Sequence, residues 1–252
     1  MISDNNRFNY LSIAEIRFNP IDNLSDLVHA IQVAFVLANY ADSAHIKSQS
    51  LQVQEVDDQK LLVPSIQNSY IFSNKNKTRH FVLNSQCLTF KTSDYKDFDS
   101  FLSYFLEGLF IVNKVHPITN LNRLGLRFLE RVVPAKGKRI QSYMAMPDLM
   151  VFEKLGGDST HTQTEVYHQI KDQHLVNRVK VCKVGGLELP KDIDPLDMKF
   201  KAHLMTYAGP SIYIDNDGFS DKKYKLSFTT VKKVLKDIHT TIQIAHQASI
   251  GR

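Results

Sequence analysis

Residues 122–133 decide the fold of this chain, and their sequence is NRLGLRFLERVV. Apolar residues alternate with polar ones, which is typical of a strand with one buried face. The apolar face carries Leu124, Leu126 and Phe128, and the opposite face carries Arg123, Arg127 and Arg131. At ~3.3 Å per residue, neighbouring arginines stand roughly 13 Å apart, a spacing that suits an extended acidic partner. We therefore predict a half-buried strand with a basic face.

Length and composition limit the class of protein. The chain has 252 residues, of which 43% are hydrophobic, enough for a buried core in one large domain or two smaller ones. No run approaches the roughly 18 apolar residues of a membrane span. The first residues also lack the features of a signal peptide, so we expect a cytoplasmic protein without membrane association.

Charge indicates which classes of partner are possible, and cysteine spacing indicates the state of the thiols. The net charge of +5 permits an acidic protein or a nucleic acid as partner. Lys and Arg are interspersed with Asp and Glu, which is more typical of a solvated surface than of a nucleic-acid arm. Cys87 and Cys182 are far apart without C-x-x-C spacing, so we predict reduced, buried thiols.

The first half has the pattern of an antiparallel sheet with two helices. A strand over 11–18 ends before Pro20, and a helix over 24–40 follows, capped by Asn23 or Ser25. Further strands are predicted at 51–56, 69–73, 79–83 and 87–92. A helix over 97–115 carries an aromatic stripe that we interpret as core: Phe98, Phe101 and Phe105.

The second half repeats this layout. Strands are predicted at 141–146, 162–171, 175–184, 199–207 and 211–215, with loops at 156–158 and 189–195. A helix over 229–249 closes the chain, capped by Thr229 or Thr230. We therefore predict an α+β fold of two antiparallel-sheet subdomains, 1–134 and 139–252, each packed against a long helix. A diverged duplication would explain the shared layout.

Two motifs resemble a sporadically distributed bacterial family of uncharacterised proteins. Residues 123–128 match that family's R-[IL]-G-[IL]-R-[YF] strand. Residues 212–217 are similar to its hydrophobic strand that ends in D-x-D, and residues 235–239 to the L-x-x-[IL]-H of its following helix. The resemblance implies the general layout and a bacterial origin, and it implies no activity.

Several side chains are candidates for a metal site. Asp215 and Asp217, with Asp221 nearby, are of the type that holds hard cations. Asp-Asn-Asp-Gly at 215–218 is also a strand-ending turn sequence, which we favour. Zinc-binding residue types occur at His161, Glu165, His168, His174 and Cys182, without the spacing of a zinc motif. His239 is predicted to interact with Asp215 or Asp217, or to make a capping or core hydrogen bond.

Catalytic motifs are absent from the sequence, which contains no G-x-S-x-G, no phosphate-binding loop and no G-x-G-x-x-G. We predict a non-catalytic binding module without a cofactor, whose Arg123, Arg127 and Arg131 contact a macromolecule, with a protein favoured over a nucleic acid. The alternative, which we slightly favour, is an internal role in which Arg123 and Arg127 pair with Asp or Glu of a neighbouring strand or helix.

Two other functions fit the same residues. One is a metal-dependent enzyme acting on phosphate esters, with Asp215 and Asp217 as ligands and Arg127 holding the substrate. The other is a self-associating scaffold that forms homo-oligomers through open sheet edges.

Overall fold

The computed structural model describes residues 7–56, 59–144 and 161–250, which form an α+β structure with one antiparallel sheet of ten strands. The strands are β1 (Arg7–Phe18), β2 (Asp42–Val56), β3 (Gln59–Ser73), β4 (Arg79–Leu83), β5 (Cys87–Thr92), β6 (Asn120–Val132), β7 (His161–Ile170), β8 (Gln173–Cys182), β9 (Ser211–Ser220) and β10 (Tyr224–Lys225). The helices are α1 (Leu24–Leu37), α2 (Phe98–Val115), α3 (Ala202–Thr206) and α4 (Phe228–Ser249). Among these helices, none is long and apolar enough to cross a membrane.

The sheet runs in the order β2-β3-β4-β5-β1-β6-β9-β8-β7, and β10 pairs with β6 beyond the end of β9. β1 and β6 lie side by side at the centre, where Ala14 is opposite Leu126. On the other side of β6, Arg127 is opposite Asp217 of β9. The two motifs of the family resemblance therefore lie on directly paired strands.

One continuous sheet stands where two were predicted. The strands of 1–134 and those of 139–252 meet at β6, which pairs with β9 and β10 of the second half. On its other side β6 pairs with β1, the first strand of its own half. The boundary at 134–139 and the duplication remain predictions.

The main core lies between the sheet and three helices, on what we call the helix face. Its largest buried side chains include Phe35 of α1, Phe105 of α2 and Phe81 and Phe90 of the strands, each fully buried. The buried side chains of α4 complete this layer: Val231, Leu235, Ile238 and Ile242. Each such side chain contributes roughly 1.5–3 kcal/mol on burial. The aromatic stripe of α2 lies in this core, which confirms its interpretation.

Side chains cap the first turns of α2 and α4, although the residue that caps α4 is not the predicted one. The Asp97 carboxylate accepts the Ser100 backbone N–H at 2.8 Å and starts α2. Ser227 caps α4 by accepting from the Thr230 N–H, so the predicted caps Thr229 and Thr230 are wrong. Asn23 occupies the N-cap position of α1 without a side-chain capping bond.

Two predicted strands are not strands. Residues 140–143 form a short 3-10 helix, and 145–160, which include the predicted loop at 156–158, lie outside the described residues. Residues 202–206 form α3 instead of a strand, because only Leu204 is buried and its carbonyl is turned towards Arg131. β2 and β3 are both longer than predicted, and their far ends pair only with each other.

The turn predicted at 215–218 is also wrong, because β9 continues through it to Ser220. Hydrogen bonds to β6 on one side and β8 on the other satisfy the backbone, and they outweigh the local turn preference. Gly218 lies under α4, where a Cβ would stand 2.8 Å from Ile238 and 3.0 Å from Ile242. The glycine thus permits close packing of the helix and does not mark a turn.

We expect Gly218→Ala to lower the free energy of unfolding by about 1–3 kcal/mol, because the added methyl group overpacks the contact with α4. Urea denaturation followed by circular dichroism measures this loss. Gly186→Ala is the matched control, since its Cβ would come no closer than 3.9 Å to any neighbour. Equal losses in both variants would contradict the packing argument.

Candidate functional site

A long segment covers part of the sheet face opposite the helices, which we call the strap face. This strap, residues 183–201, joins β8 to α3. Near one end the Tyr213 hydroxyl donates to the Gly186 carbonyl at 2.6 Å. Near the other end the Lys199 N–H donates to the Lys77 carbonyl at 2.8 Å. The strap therefore spans the strap face with both ends held by hydrogen bonds.

Arg127 lies at the centre of the site, beneath the middle of the strap. Its Nε and Nη2 donate to the two carboxylate oxygens of Asp215, each at 2.7 Å. Its Nη1 donates to Asp192 of the strap at 2.5 Å. The side chains of Arg127 and Asp215 are only 11% and 9% exposed, whereas Asp192 is 65% exposed. The hydrogen bond from Arg127 lowers the pKa of Asp192. One guanidinium thus binds an inner and an outer carboxylate.

A second row of charges lies on β8. Arg178 Nη1 donates to Asp215 at 3.3 Å, and its Nε pairs with Glu165 of β7. Lys180 pairs with Glu188 of the strap. Asp215 therefore receives hydrogen bonds from the arginines of two strands, β6 and β8, which enclose β9.

Two cavities adjoin the ion pair between Arg127 and Asp192, and both are lined by these two residues. The cavity on the β8 side has a volume of ≈ 390 Å³ and is lined also by Tyr10 and Arg178. The cavity on the β1 side has a volume of ≈ 360 Å³, and Lys91 is among its lining residues. The strap thus divides a charged cleft into two parts at Asp192.

Arg123 borders the cavity on the β1 side, and its guanidinium already contacts other side chains of the protein. Its guanidinium stacks over the Phe219 ring at 3.6 Å from the centroid. It also pairs with Asp221 at 3.3 Å and with Glu15 at 3.7 Å. The side chain remains 23% exposed. The predicted basic face is present at this position, although acidic residues are interspersed with it.

Arg131, predicted as a contact residue, is fully buried and cannot reach a partner. Its guanidinium donates to the Ser211 hydroxyl at 2.9 Å and to the backbone carbonyls of Leu204 at 2.7 Å and Tyr207 at 2.9 Å. A further bond reaches Gly185 of the strap at 3.2 Å. Arg131 therefore positions α3 and the start of the strap.

The predicted metal ligands do not converge on an open site. Asp215 is bound to two guanidinium groups. Asp217 points to the second cavity, where burial raises the pKa of its carboxyl group. Its oxygens accept no hydrogen bond from any residue that the structure describes, and Asp221 pairs with Arg123. Within the described ranges, no group of three or more His, Cys, Asp or Glu could hold a metal ion.

The residues of zinc-binding type lie on or beside the hairpin of β7 and β8, apart from Cys87 on β5. His161, His168 and His174 lie on the hairpin of β7 and β8, where His161 is opposite Cys182. Glu165 is engaged by Arg178. Cys87 is partly buried and Cys182 buried, and both are free thiols. Burial raises the pKa of Cys87 to about 12 and also raises that of Cys182, so neither is an activated nucleophile.

His239 is on the helix face and therefore far from the site carboxylates. It stacks on Phe98 with ring centroids 3.8 Å apart and lies 5.5 Å from Phe128. Burial lowers its pKa to about 4. The predicted contact with Asp215 or Asp217 is wrong, because those side chains point to the opposite face of the sheet.

Sequence reasoning missed Arg178, Lys180 and the strap acids. A signal existed in β8, where Val176, Arg178 and Lys180 alternate with other residues on one face, as the arginines of β6 do. The loop at 189–195 was recognised, but nothing local indicated that Asp192 would lie on Arg127.

Comparisons with known proteins add no assignment. No protein-family model matches the chain, no curated protein matches its sequence, and no solved structure matches its fold.

We expect Arg131→Met to lower the free energy of unfolding by at least about 2 kcal/mol, because buried carbonyls lose their charged donor. Urea denaturation measures the loss. Arg139→Met, on an exposed turn, is the control and should change stability by less than about 0.5 kcal/mol. An equally small effect at Arg131 would show that its hydrogen bonds do not hold α3.

The lowered pKa of His239 predicts a pH dependence of stability. The unfolded chain takes up a proton as pH falls through the ordinary value of 6.5, whereas the folded protein does so only near pH 4. Stability from neutral His239 is therefore present above 6.5 and is lost as pH falls towards 4. Compared with His239→Phe, which retains the stacking, the wild type should show the larger fall in urea midpoint over this interval. Parallel pH profiles would contradict this assignment.

Proposed function

We propose that this protein is a non-catalytic binding module that engages an acidic protein through the cleft on its strap face. The observation that carries this proposal is that the Arg127 guanidinium binds two carboxylates at once. Asp215 satisfies the inner side of the guanidinium, and the outer side binds a second carboxylate, that of Asp192. The site is thus already built to bind a carboxylate presented from outside the sheet.

The cations around Arg127 support a site larger than a single carboxylate. Arg178 and Lys180 line the cavity on the β8 side, and Arg123 and Lys91 line the cavity on the β1 side. The Lys91 ammonium donates to the Asp194 carbonyl at 2.9 Å, and burial lowers its pKa. Both cavities therefore offer cations to a chain with several separated acids.

The interspersed acids favour a protein over a nucleic acid. Glu15, Asp192 and Asp217 border one cavity, and Glu188 and Asp215 border the other. A continuous phosphate backbone would pass close to these carboxylates, whereas a peptide can place its acids only where cations lie. The same pairing weighs against the metal-dependent phosphoesterase, because guanidinium groups occupy the oxygens of Asp215.

Self-association is a second candidate, and the exposure of β7 favours it. Among the described strands β7 lies at the edge of the sheet, and its Val166, Tyr167 and Ile170 are 45%, 60% and 47% exposed. An edge strand with exposed apolar side chains can pair with a second copy of the chain.

Two further proposals concern origin and location. The long helix that each half packs on the helix face, α2 in the first and α4 in the second, supports a duplication. The free thiols Cys87 and Cys182 support a reducing compartment such as the cytoplasm.

The binding proposal is tested with two labelled probes of equal length, a peptide of alternating Glu and Ser and a thymidine oligonucleotide, by fluorescence anisotropy. We expect the peptide to bind more tightly. Arg178→Gln should weaken it by about ten- to hundredfold, the effect of one lost charge-assisted hydrogen bond.

Arg139→Gln is the matched control, because it removes the same charge from an exposed turn outside the cleft. Circular dichroism verifies that each variant is folded. Tighter binding of the oligonucleotide would contradict a protein partner. Equal losses in the two arginine variants would contradict the cleft as the site.

A further inference from the structure

The strap carries four separated acids across the sheet, although the four lysines of 183–201 balance their charge. These acids are Glu188, Asp192, Asp194 and Asp197. Each lies near a cation on a different part of the sheet, so that Glu188 meets Lys180 of β8, Asp192 meets Arg127 of β6, Asp194 lies near Lys91 of β5, and Asp197 meets Lys77 before β4. The strap thus has the charge pattern that the proposed function requires of a partner.

The acids are exposed and their cations are less so. Asp192 is 65% and Asp197 60% exposed, whereas Arg127 is 11% and Lys77 25% exposed. The cations belong to the sheet, and the acids approach from the solvent side. A segment from another protein would approach the same cations from the same side.

The middle of the strap is held differently from its ends. Backbone carbonyls or amides of Gly186 and Lys199 bond to the sheet side at the ends. Glu188 is also held near one end, by Tyr10 and Lys180, and Asp197 near the other, by Lys77. Between these two acids, the contacts of residues 189–196 to the described sheet strands are the Asp192 side chain, the Asp194 carbonyl and the packing of Leu189 and Ile193. Hydrogen bonds such as that of the Ile193 N–H to the Pro190 carbonyl lie within the strap. The middle can therefore leave the sheet while the ends stay attached.

We propose that the strap is an internal surrogate for the partner, and that the partner inserts an extended acidic segment which displaces Asp192 and its neighbours from the cleft. This inference rests on the proposed function and specifies its ligand. From β8 to β5 the sheet has four strand intervals, roughly 19 Å at ~4.8 Å each, which an extended segment of about six residues spans. Its acids would follow the spacing of Glu188, Asp192 and Asp194, with an apolar residue in place of Ile193.

Displacement of Asp192 joins the two cavities into one groove, because Arg127 and Asp192 border both. The groove then offers Lys91, Arg123, Arg127 and Arg178 in succession. In the closed state the strap acts as a tethered competitor with a high effective concentration, so that only a segment with the same pattern exchanges efficiently.

The test uses two labelled peptides, the strap sequence GLELPKDIDPL of residues 186–196 and GLQLPKNINPL, in which amides replace its three carboxylates. Each is titrated by anisotropy into the full-length wild type, Asp192→Asn and Asp172→Asn. Asp192 is mostly exposed, so its variant should fold. Asp172→Asn is the matched control, since it breaks a similarly exposed ion pair, with Lys222, outside the cleft.

We expect the acidic peptide to bind Asp192→Asn roughly fivefold more tightly than the wild type, the effect of an internal ion pair of about 1 kcal/mol. Asp172→Asn should stay near the wild-type affinity, and the amide peptide should not bind. In the wild type, saturation with the acidic peptide should increase hydrogen exchange over residues 189–196.

Other outcomes separate this inference from the proposed function. Equal gains in Asp192→Asn and Asp172→Asn, or no gain in either, would overturn the surrogate role. So would binding without faster exchange in the strap. If the strap peptide fails while the Glu and Ser peptide binds in an Arg178-dependent way, the inference is wrong and the proposed function stands. If neither acidic peptide binds any variant, both are wrong.

Discussion

The ion pair between Arg127 and Asp215 joins β6 to β9, and the arrangement of the strap face depends on it. Both side chains are largely buried, so each charge requires the other, and loss of one partner from such a pair costs about 3–5 kcal/mol. Asp215 also accepts from Arg178, which connects β8 to the same pair. The outer side of the Arg127 guanidinium then determines where the strap crosses. The position of the cleft thus follows from a charge that the sheet itself must neutralise.

The two faces of the sheet differ because the alternation along β6 is kept through its neighbours. Leu124, Leu126 and Phe128 pack under the helices, and the arginines point to the strap face. A shift of one residue in register would bury the arginines beneath α2 and α4, which makes the register strongly specified. Gly218 has the matching role on β9, because its missing side chain admits α4 to the helix face while Asp217 faces the cleft.

The candidate site illustrates which contacts a sequence pattern can indicate. The alternation predicted that Arg123, Arg127 and Arg131 share a face, since this depends only on neighbouring residues. Their partners are distant in sequence, with Asp192 separated from Arg127 by 65 positions and Asp215 by 88. Arg131 shows the same limit, because its burial depends on carbonyls of α3 and the strap. A basic residue on a strand is therefore not evidence of an accessible one.

Local patterns were sufficient for the parts of the fold that depend on local chemistry. α2 and α4 lie within a residue or two of their predicted bounds, because apolar spacing and chain-breaking residues act over a few positions. The union of two halves in one sheet, the passage of β9 through a turn-forming sequence and the seating of Asp192 on Arg127 were decided only on folding. Strand pairing and buried charge satisfy groups that are far apart in the chain, and these long-range bonds outweigh the local preference of residues 215–218 for a turn.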